Sequence, residues 1–123
     1  MTDSELAEIM VNYISRVEHL ASMISGYIQG TNREYIQKER ILSEYKLLKE
    51  ELRRDANYLD LVRNRNGSHL YMNAFSRSIR EASAWGFTVP INHRIDQSMF
   101  STVSDARYKL TKYCSLEQWG ELM

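Results

Sequence analysis

The sequence predicts an all-α fold: a long antiparallel helical hairpin, two further helices and a short C-terminal helical turn. Apolar residues recur at three- and four-residue steps over most of the chain, as one buried helix face requires. Capping sequences and glycines stand where the periodic stretches begin or end. The 123 residues, 43% of them hydrophobic, are expected to form one domain, 1–123, with the hairpin in 1–66 and the other helices in 67–123.

Two amphipathic stretches predict the hairpin. The first helix begins at the capping sequence TDSE (Thr2 to Glu5) and ends at Gly30. The second begins at TNRE (Thr31 to Glu34) and can extend to Arg65. Asn57 is the position most suited to a break, and the sequence leaves open whether the helix continues through it. Its apolar side consists of Tyr35, Ile41, Leu42, Tyr45, Leu48, Leu52, Leu59 and Val62. A tight turn between two such helices places them side by side in opposite directions.

The remaining helices follow from the same signals. The third helix is expected over Ser68 to Trp85, and the fourth over about His93 to Cys114 with Asn92 as its N-cap. The apolar stripe of the fourth helix is Ile95, Met99, Val103, Ala106, Leu110 and Tyr113. The sequence SLEQ, which starts at Ser115, is a further capping box and predicts a last turn that buries Trp119.

The charge of the chain excludes a general attraction to nucleic acid or to anionic membranes, because sixteen basic residues balance sixteen acidic ones. Only residues 31–95 are mildly basic, with a balance of +4. Charges on the second helix have the spacing of exposed i,i+4 pairs, such as Arg40 and Glu44. The N-terminal residues do not resemble a signal peptide, and no stretch is apolar enough to span a membrane. A cytoplasmic location is therefore expected.

Few residues offer catalytic or metal-binding chemistry. His19, His69 and His93 are scattered and lack the i,i+4 spacing that holds a zinc ion. Cys114, the only cysteine, is expected to be a buried structural thiol. The five glycines form no phosphate-binding loop. We therefore expect a protein that is not an enzyme and that needs no metal or other cofactor.

Two sets of residues have the chemistry of a binding surface. Arg77 and Arg80 stand one helical turn apart, where an exposed face could contact phosphates or simply be solvated. Three serines flank them: Ser76, Ser78 and Ser83. Tyrosine occurs eight times, and Tyr35 and Tyr45 on the hairpin suit either an oligomer contact or packing within the chain.

The stretch GFTVPINHRI (Gly86 to Ile95) differs from the rest of the chain, because it is apolar and contains the only proline. Gly86 can close a helix and Pro90 forces Val89 to be extended, so the stretch can be a plain rigid corner. The features around it also resemble the P27-type family of phage terminase small subunits. That family has a Tyr-rich helical hairpin, a break and a helix with paired basic residues. Its corner is similar to Gly-Leu-Thr-Pro, followed after two variable positions by Arg-x-Arg-Leu.

The resemblance covers residues 33–95. The corresponding segments are REYIQKERILSEYKLLKEEL (33–52) for the hairpin, NG (66–67) for the break, YMNAFSRSIREASAW (71–85) for the helix and 86–95 for the corner. Three corner residues match the family: Gly86, Thr88 and Arg94. The departures are Val89 in place of the family proline, Asn92 in place of the first arginine and Gly67 in place of the proline at the break.

The resemblance implies a non-catalytic DNA-packaging protein of the host-cell cytoplasm. Terminase small subunits assemble into oligomers, typically rings, recognise the packaging site of double-stranded viral DNA and pass it to the large subunit, which holds the ATPase and nuclease. Phosphate contacts are then expected from Arg77, Arg80, Arg94, Arg63 and Arg65. Subunit contacts are expected from Tyr35, Tyr45 and Leu52. A second hypothesis stays open: a small helical adaptor or inhibitor of phage or mobile-element origin that binds one protein target and no nucleic acid.

Overall fold

The computed structural model describes residues 2–30, 35–66, 70–84 and 94–123, and it confirms the all-α fold. Five helices lie in these ranges: α1 (Asp3–Ile28), α2 (Tyr35–Asn66), α3 (Leu70–Ser83), α4 (Gln97–Thr111) and α5 (Leu116–Leu122). None of the helices in these ranges combines the length and the hydrophobicity that a membrane span needs.

Local capping explains both ends of α1 and the start of α5. The hydroxyl of Thr2 accepts a hydrogen bond from the backbone N–H of Glu5, and Gly30 follows the helix with a φ of 81°. Ser115 and Gln118 form a complete capping box in front of α5, each side chain accepting the other residue's backbone N–H. These three predictions are confirmed.

The structure corrects the predicted start of α4 and answers a question that the sequence left open in α2. α4 begins at Gln97 instead of about His93, because the carboxylate of Asp96 accepts the backbone N–H of Met99 and makes Asp96 the N-cap. α2 is continuous through Asn57. Its neighbour Ala56 is buried in the core, and such packing outweighs the weak helix propensity of one asparagine, about 0.7 kcal/mol.

Several predicted features lie outside the described residues. They are the capping sequence 31–34, the ends of the third helix at Ser68 and Trp85, the N-cap Asn92, and most of the corner 86–95. Of that corner, the structure describes only Arg94 and Ile95, and Ile95 packs against the core as expected.

The four long helices form an antiparallel bundle in which each packs against the next and α4 packs against α1. The hairpin prediction is confirmed, because Tyr13 and Arg16 of α1 pair with Asp55 and Glu51 of α2 in reverse order along the two helices. α1 packs even more extensively against α4 than against α2. The hairpin is therefore an integral part of one bundle, with its core shared by all the helices.

The core contains apolar side chains from all five helices. Its largest fully buried members are Trp119, Phe75, Leu6, Met10, Ile14, Leu20, Ile24, Ile41, Leu48, Leu52 and Ile79. Trp119 is buried as predicted, and its ring meets that of Phe75 edge to face, with centroids 6.3 Å apart. Cys114 is also buried, and burial raises the pKa of its thiol. These contacts fix α5 and the end of α4 to the rest of the bundle.

Candidate nucleic-acid interface

Arg77 and Arg80 lie on the outer side of α3, where both side chains are exposed. The opposite side of the helix buries Met72, Phe75 and Ile79. Because residues three positions apart share a helix face, the two guanidinium groups belong to one surface. That surface is accessible to a ligand.

The serines expected beside these arginines do not share the exposed face. Ser76 and Ser78 are buried, because they flank the apolar side of α3 that packs between α2 and α4. The hydroxyl of Ser83 donates a hydrogen bond to the backbone carbonyl of Arg80 and completes the last turn of the helix. The predicted combination of arginines with serine hydroxyls is therefore wrong for Ser76 and Ser78, and the hydroxyl of the half-buried Ser83 is bonded to the backbone.

Arg94 is exposed and lies two residues before Asp96, the N-cap of α4. The end of α3 and the start of α4 meet at one end of the bundle, where Ala84 and Ser98 line the same groove. Arg94 therefore belongs to this end, whereas Arg77 and Glu81, on either side of Arg80, contact Tyr113 beyond the other end of α4. Arg63 and Arg65 belong to the last turns of α2, at the opposite end of the antiparallel bundle. Their side chains are outside the described part of the chain.

Two of the three residues predicted for subunit contacts lie in the core instead of at the surface. Tyr45 and Leu52 are both buried in the bundle core, so the folded chain does not present them to a second copy. Tyr35 is the first residue of α2, and its side chain is outside the described residues. The amphipathic spacing of Tyr45 and Leu52 is used for packing within the chain, which corrects the predicted interface at these two positions.

Four side chains, Arg77 among them, join α3 to the end of α4. We call them the Tyr113 cluster (Arg77, Glu81, Lys112 and Tyr113). The hydroxyl of Tyr113 donates to Oε1 of Glu81 at 2.5 Å, and Nζ of Lys112 is 3.5 Å from Oε2 of the same carboxylate. The Tyr113 ring centroid is 5.8 Å from Cζ of Arg77 and 5.3 Å from Nζ of Lys112, within cation–π range. The Tyr113 hydrogen bond, followed by the charge of Lys112, lowers the pKa of Glu81.

The sequence analysis missed the Tyr113 cluster, because Tyr113 fits the spacing of the buried stripe of α4. The helix ends at Thr111, however, so Tyr113 leaves the stripe and its ring remains partly exposed. A tyrosine that follows a lysine at the C-terminus of a helix could have indicated this position. The cluster gives the α3–α4 surface an aromatic ring with two cations beside it and a carboxylate bonded to its hydroxyl.

A second polar cluster lies between α1 and α2; we call it the Tyr13 cluster (Tyr13, Arg16, Glu44, Glu51 and Asp55). The Tyr13 hydroxyl donates to Oδ2 of Asp55. Arg16 is 2.5 Å from Oε2 of Glu51 and 3.2 Å from Oε1 of Glu44. Burial, and then the hydrogen bond to Asp55, raises the pKa of Tyr13. These contacts fix the register of the hairpin.

Among the described residues, no three His, Cys, Asp or Glu side chains form a group that could hold a metal ion. His19 is exposed on α1, while His69 and His93 are outside the described ranges. The exposed arginines and the Tyr113 cluster are therefore the best candidates for a functional surface.

Comparison of the chain with protein-family models, with curated proteins and with solved structures gave no match. The resemblance to terminase small subunits therefore remains a prediction that depends on the short segments quoted above. Evidence for what the protein binds comes instead from the chemistry of the exposed α3–α4 surface.

Proposed function

We propose that the chain is a non-catalytic DNA-binding protein of the terminase small-subunit type, which oligomerises and presents phage DNA to a large subunit in the host cytoplasm. The observation that supports this best is the exposure of Arg77 and Arg80 on one face of α3, together with the exposure of Arg94 before the start of α4. Guanidinium groups on one surface suit contacts with the phosphate backbone of a duplex.

A neutral chain can bind DNA in this way if the same surface is repeated in an oligomer. Each phosphate that a cation neutralises releases counterions and adds to the salt-dependent affinity. One copy offers only a few such contacts, so its affinity would be weak. Symmetric repetition turns the later contacts into intramolecular ones and raises the overall affinity without new residues.

The first experiment is a fluorescence-anisotropy titration of a labelled DNA duplex over a series of salt concentrations. We expect the double variant Arg77→Ala, Arg80→Ala to bind more weakly and to reduce the slope of log K against log salt by about 1.8, since each lost phosphate contact contributes about 0.9. The matched control is Arg40→Ala, Arg53→Ala, which removes the same charge from exposed positions of α2. Equal losses in the two double variants, or no duplex binding by the wild type at low salt, would contradict the proposal.

The second experiment is native mass spectrometry over a concentration series. We expect a closed oligomer. Since Tyr45 and Leu52 are buried, its contacts would have to use other apolar groups, and Leu47 and Tyr58 are exposed on α2 about three turns apart. The double variant Leu47→Ser, Tyr58→Ser should then reduce both the oligomer and the duplex affinity. A monomer at every concentration would contradict this part of the proposal.

The same two side chains also favour the second hypothesis, a monomeric adaptor or inhibitor that binds one protein target. An exposed leucine and tyrosine on one side of α2 can be anchors for a partner. Glu50 and Arg54 lie between them, so the surface is not a continuous apolar patch. A wild type that is monomeric and binds no duplex would fit the adaptor; a closed oligomer with salt-dependent duplex binding would fit the packaging protein.

A further inference from the structure

We propose that the Tyr113 cluster is an anion-binding site which the chain fills with its own Glu81, so that Glu81 limits the affinity of the α3–α4 surface for phosphate groups. The inference rests on the proposed function and names a residue that regulates it. Its basis is the set of donors around one carboxylate: the Tyr113 hydroxyl at 2.5 Å and the Lys112 ammonium at 3.5 Å.

The donors that hold Glu81 are those that a phosphate would use. Carboxylate and phosphate oxygens both accept hydrogen bonds from hydroxyl, ammonium and guanidinium groups. Arg77 borders the same ring, with its guanidinium carbon 5.8 Å from the Tyr113 centroid. A phosphate in place of the Glu81 carboxylate would therefore meet the Tyr113 hydroxyl and the Lys112 ammonium, with the positive charge of Arg77 beside the ring.

The Glu81 carboxylate is in a position from which it can be displaced. The side chains of Glu81 and Lys112 are 33% and 43% exposed, and an ion pair that is so open to water contributes little to stability. Glu81 can turn into the solvent while Tyr113 stays beside Cys114, which is buried. Exchange of the internal carboxylate for a phosphate would therefore leave the bundle intact.

The charge balance gives the direction of the effect. With Glu81 in place, Arg77, Lys112 and Glu81 sum to one positive charge, and without its carboxylate they sum to two. Glu81→Gln keeps the shape of the side chain and removes the charge. The variant is therefore expected to bind phosphate groups more tightly than the wild type.

The test compares Glu81→Gln with a control that makes the same change of charge outside the cluster. Asp105→Asn is suitable, because Asp105 is exposed on α4 and pairs with Lys109 at 2.9 Å. Duplex DNA is titrated by anisotropy over a salt series, and inorganic phosphate by NMR of the labelled protein. We expect Glu81→Gln to bind the duplex about 3- to 5-fold more tightly than Asp105→Asn, the range of an exposed charge contact. The salt slope should be steeper by about 0.9, that of one further phosphate.

A second variant checks that the gain comes from this cluster. Tyr113→Phe, introduced into Glu81→Gln, removes the hydroxyl donor and should abolish most of the gain for both ligands. In the NMR titration, inorganic phosphate should shift the signals of Lys112 and Tyr113 in Glu81→Gln and leave them unchanged in Asp105→Asn.

The outcomes separate this inference from the proposed function. If Glu81→Gln and Asp105→Asn respond equally to duplex and to inorganic phosphate, the anion site is excluded, even where duplex binding depends on Arg77 and Arg80. If no variant binds duplex but inorganic phosphate shifts the cluster in Glu81→Gln alone, the anion site is supported and the DNA-packaging proposal fails.

Discussion

Two tyrosines of this chain have the same hydrogen-bonding chemistry in different surroundings. Tyr13 donates to Asp55 between α1 and α2, and Tyr113 donates to Glu81 between α3 and α4. Each pair has a cation beside it. Tyr13 is buried, whereas Tyr113 lies at the surface. Both pairs join two helices, and they differ in burial, so that only the second is at a surface that a ligand could reach.

The cations of the two clusters also differ in their exposure to solvent. Arg16 of the Tyr13 cluster and its partner Glu51 are each 24% exposed, whereas Lys112 and Glu81 are 43% and 33% exposed. The Tyr13 cluster is less hydrated, so each charged group in it depends on its partner for stabilisation. Removal of one charged group leaves the other poorly solvated. Water screens the charges of the Tyr113 cluster. We therefore expect mutations in the two clusters to differ in their effect on stability.

The largest effect is expected from Arg16→Met. Arg16 is the cation between Glu44 and Glu51, so its loss leaves two carboxylates close together without a partner. Removal of one partner from a fully buried pair costs 3–5 kcal/mol, and the partial exposure here reduces our expectation to about 2 kcal/mol of unfolding free energy. Urea denaturation monitored by circular dichroism measures the change.

The matched control for Arg16 is Arg107→Met. Arg107 also joins α1 to a neighbouring helix, through Glu18 at 2.8 Å, but these side chains are 46% and 42% exposed. Its loss should cost less than about 1 kcal/mol. Equal losses for the two arginine variants would show that burial does not separate these ion pairs, and the comparison between the clusters would fail.

The next effect in size is expected from Tyr13→Phe. The substitution keeps the ring and leaves Asp55 without its hydroxyl donor, which costs about 1–2 kcal/mol for a hydrogen bond to a charged group that is partly buried. Urea midpoints of the wild type and the variant at neutral pH measure this cost. No change in midpoint would mean that Asp55 finds an equivalent donor in water.

Alkaline pH should reduce the difference between the wild type and Tyr13→Phe. Burial raises the pKa of Tyr13 in the folded chain, so the hydroxyl keeps its proton there, while in the unfolded chain it ionises near the ordinary tyrosine pKa of about 10. The contribution of this proton to the free energy of unfolding is fully present well below pH 10. It decreases as the pH rises above 10, by about 1.4 kcal/mol per pH unit. Urea denaturation between pH 9 and 11 tests this, and a constant difference would contradict it.

Helix positions could largely be predicted from the sequence, because they depend on local signals. The N-caps Thr2 and Ser115 and the apolar period need only a few neighbouring residues. The predicted start of α4 was wrong because Asn92 and Asp96 are both suitable N-caps one turn apart, and the local sequence does not distinguish them. Asp96 is the one that contacts the backbone of Met99.

Contacts between helices could not be predicted in the same way. Glu44 has the spacing to pair with Arg40 on its own helix, yet it contacts Arg16 of α1, which is distant in sequence and close only in the folded bundle. Likewise, an amphipathic tyrosine such as Tyr45 has the same spacing whether it packs within the chain or against another copy. Of the candidate site, only Arg77, Arg80 and Arg94 could therefore be predicted from the sequence. Their prediction requires only that the side chains be exposed, and it does not depend on contacts between helices.

The smallest effect on stability is expected from Tyr113→Phe in the wild-type background. The hydroxyl joins Glu81 at the surface, where water can replace it as a donor, so the loss should be below about 0.5 kcal/mol. Urea denaturation beside Tyr13→Phe makes the comparison direct, since both variants remove one hydroxyl from one carboxylate. A cost for Tyr113→Phe as large as that for Tyr13→Phe would show that Glu81 is fixed in the fold and is not free to make way for a phosphate.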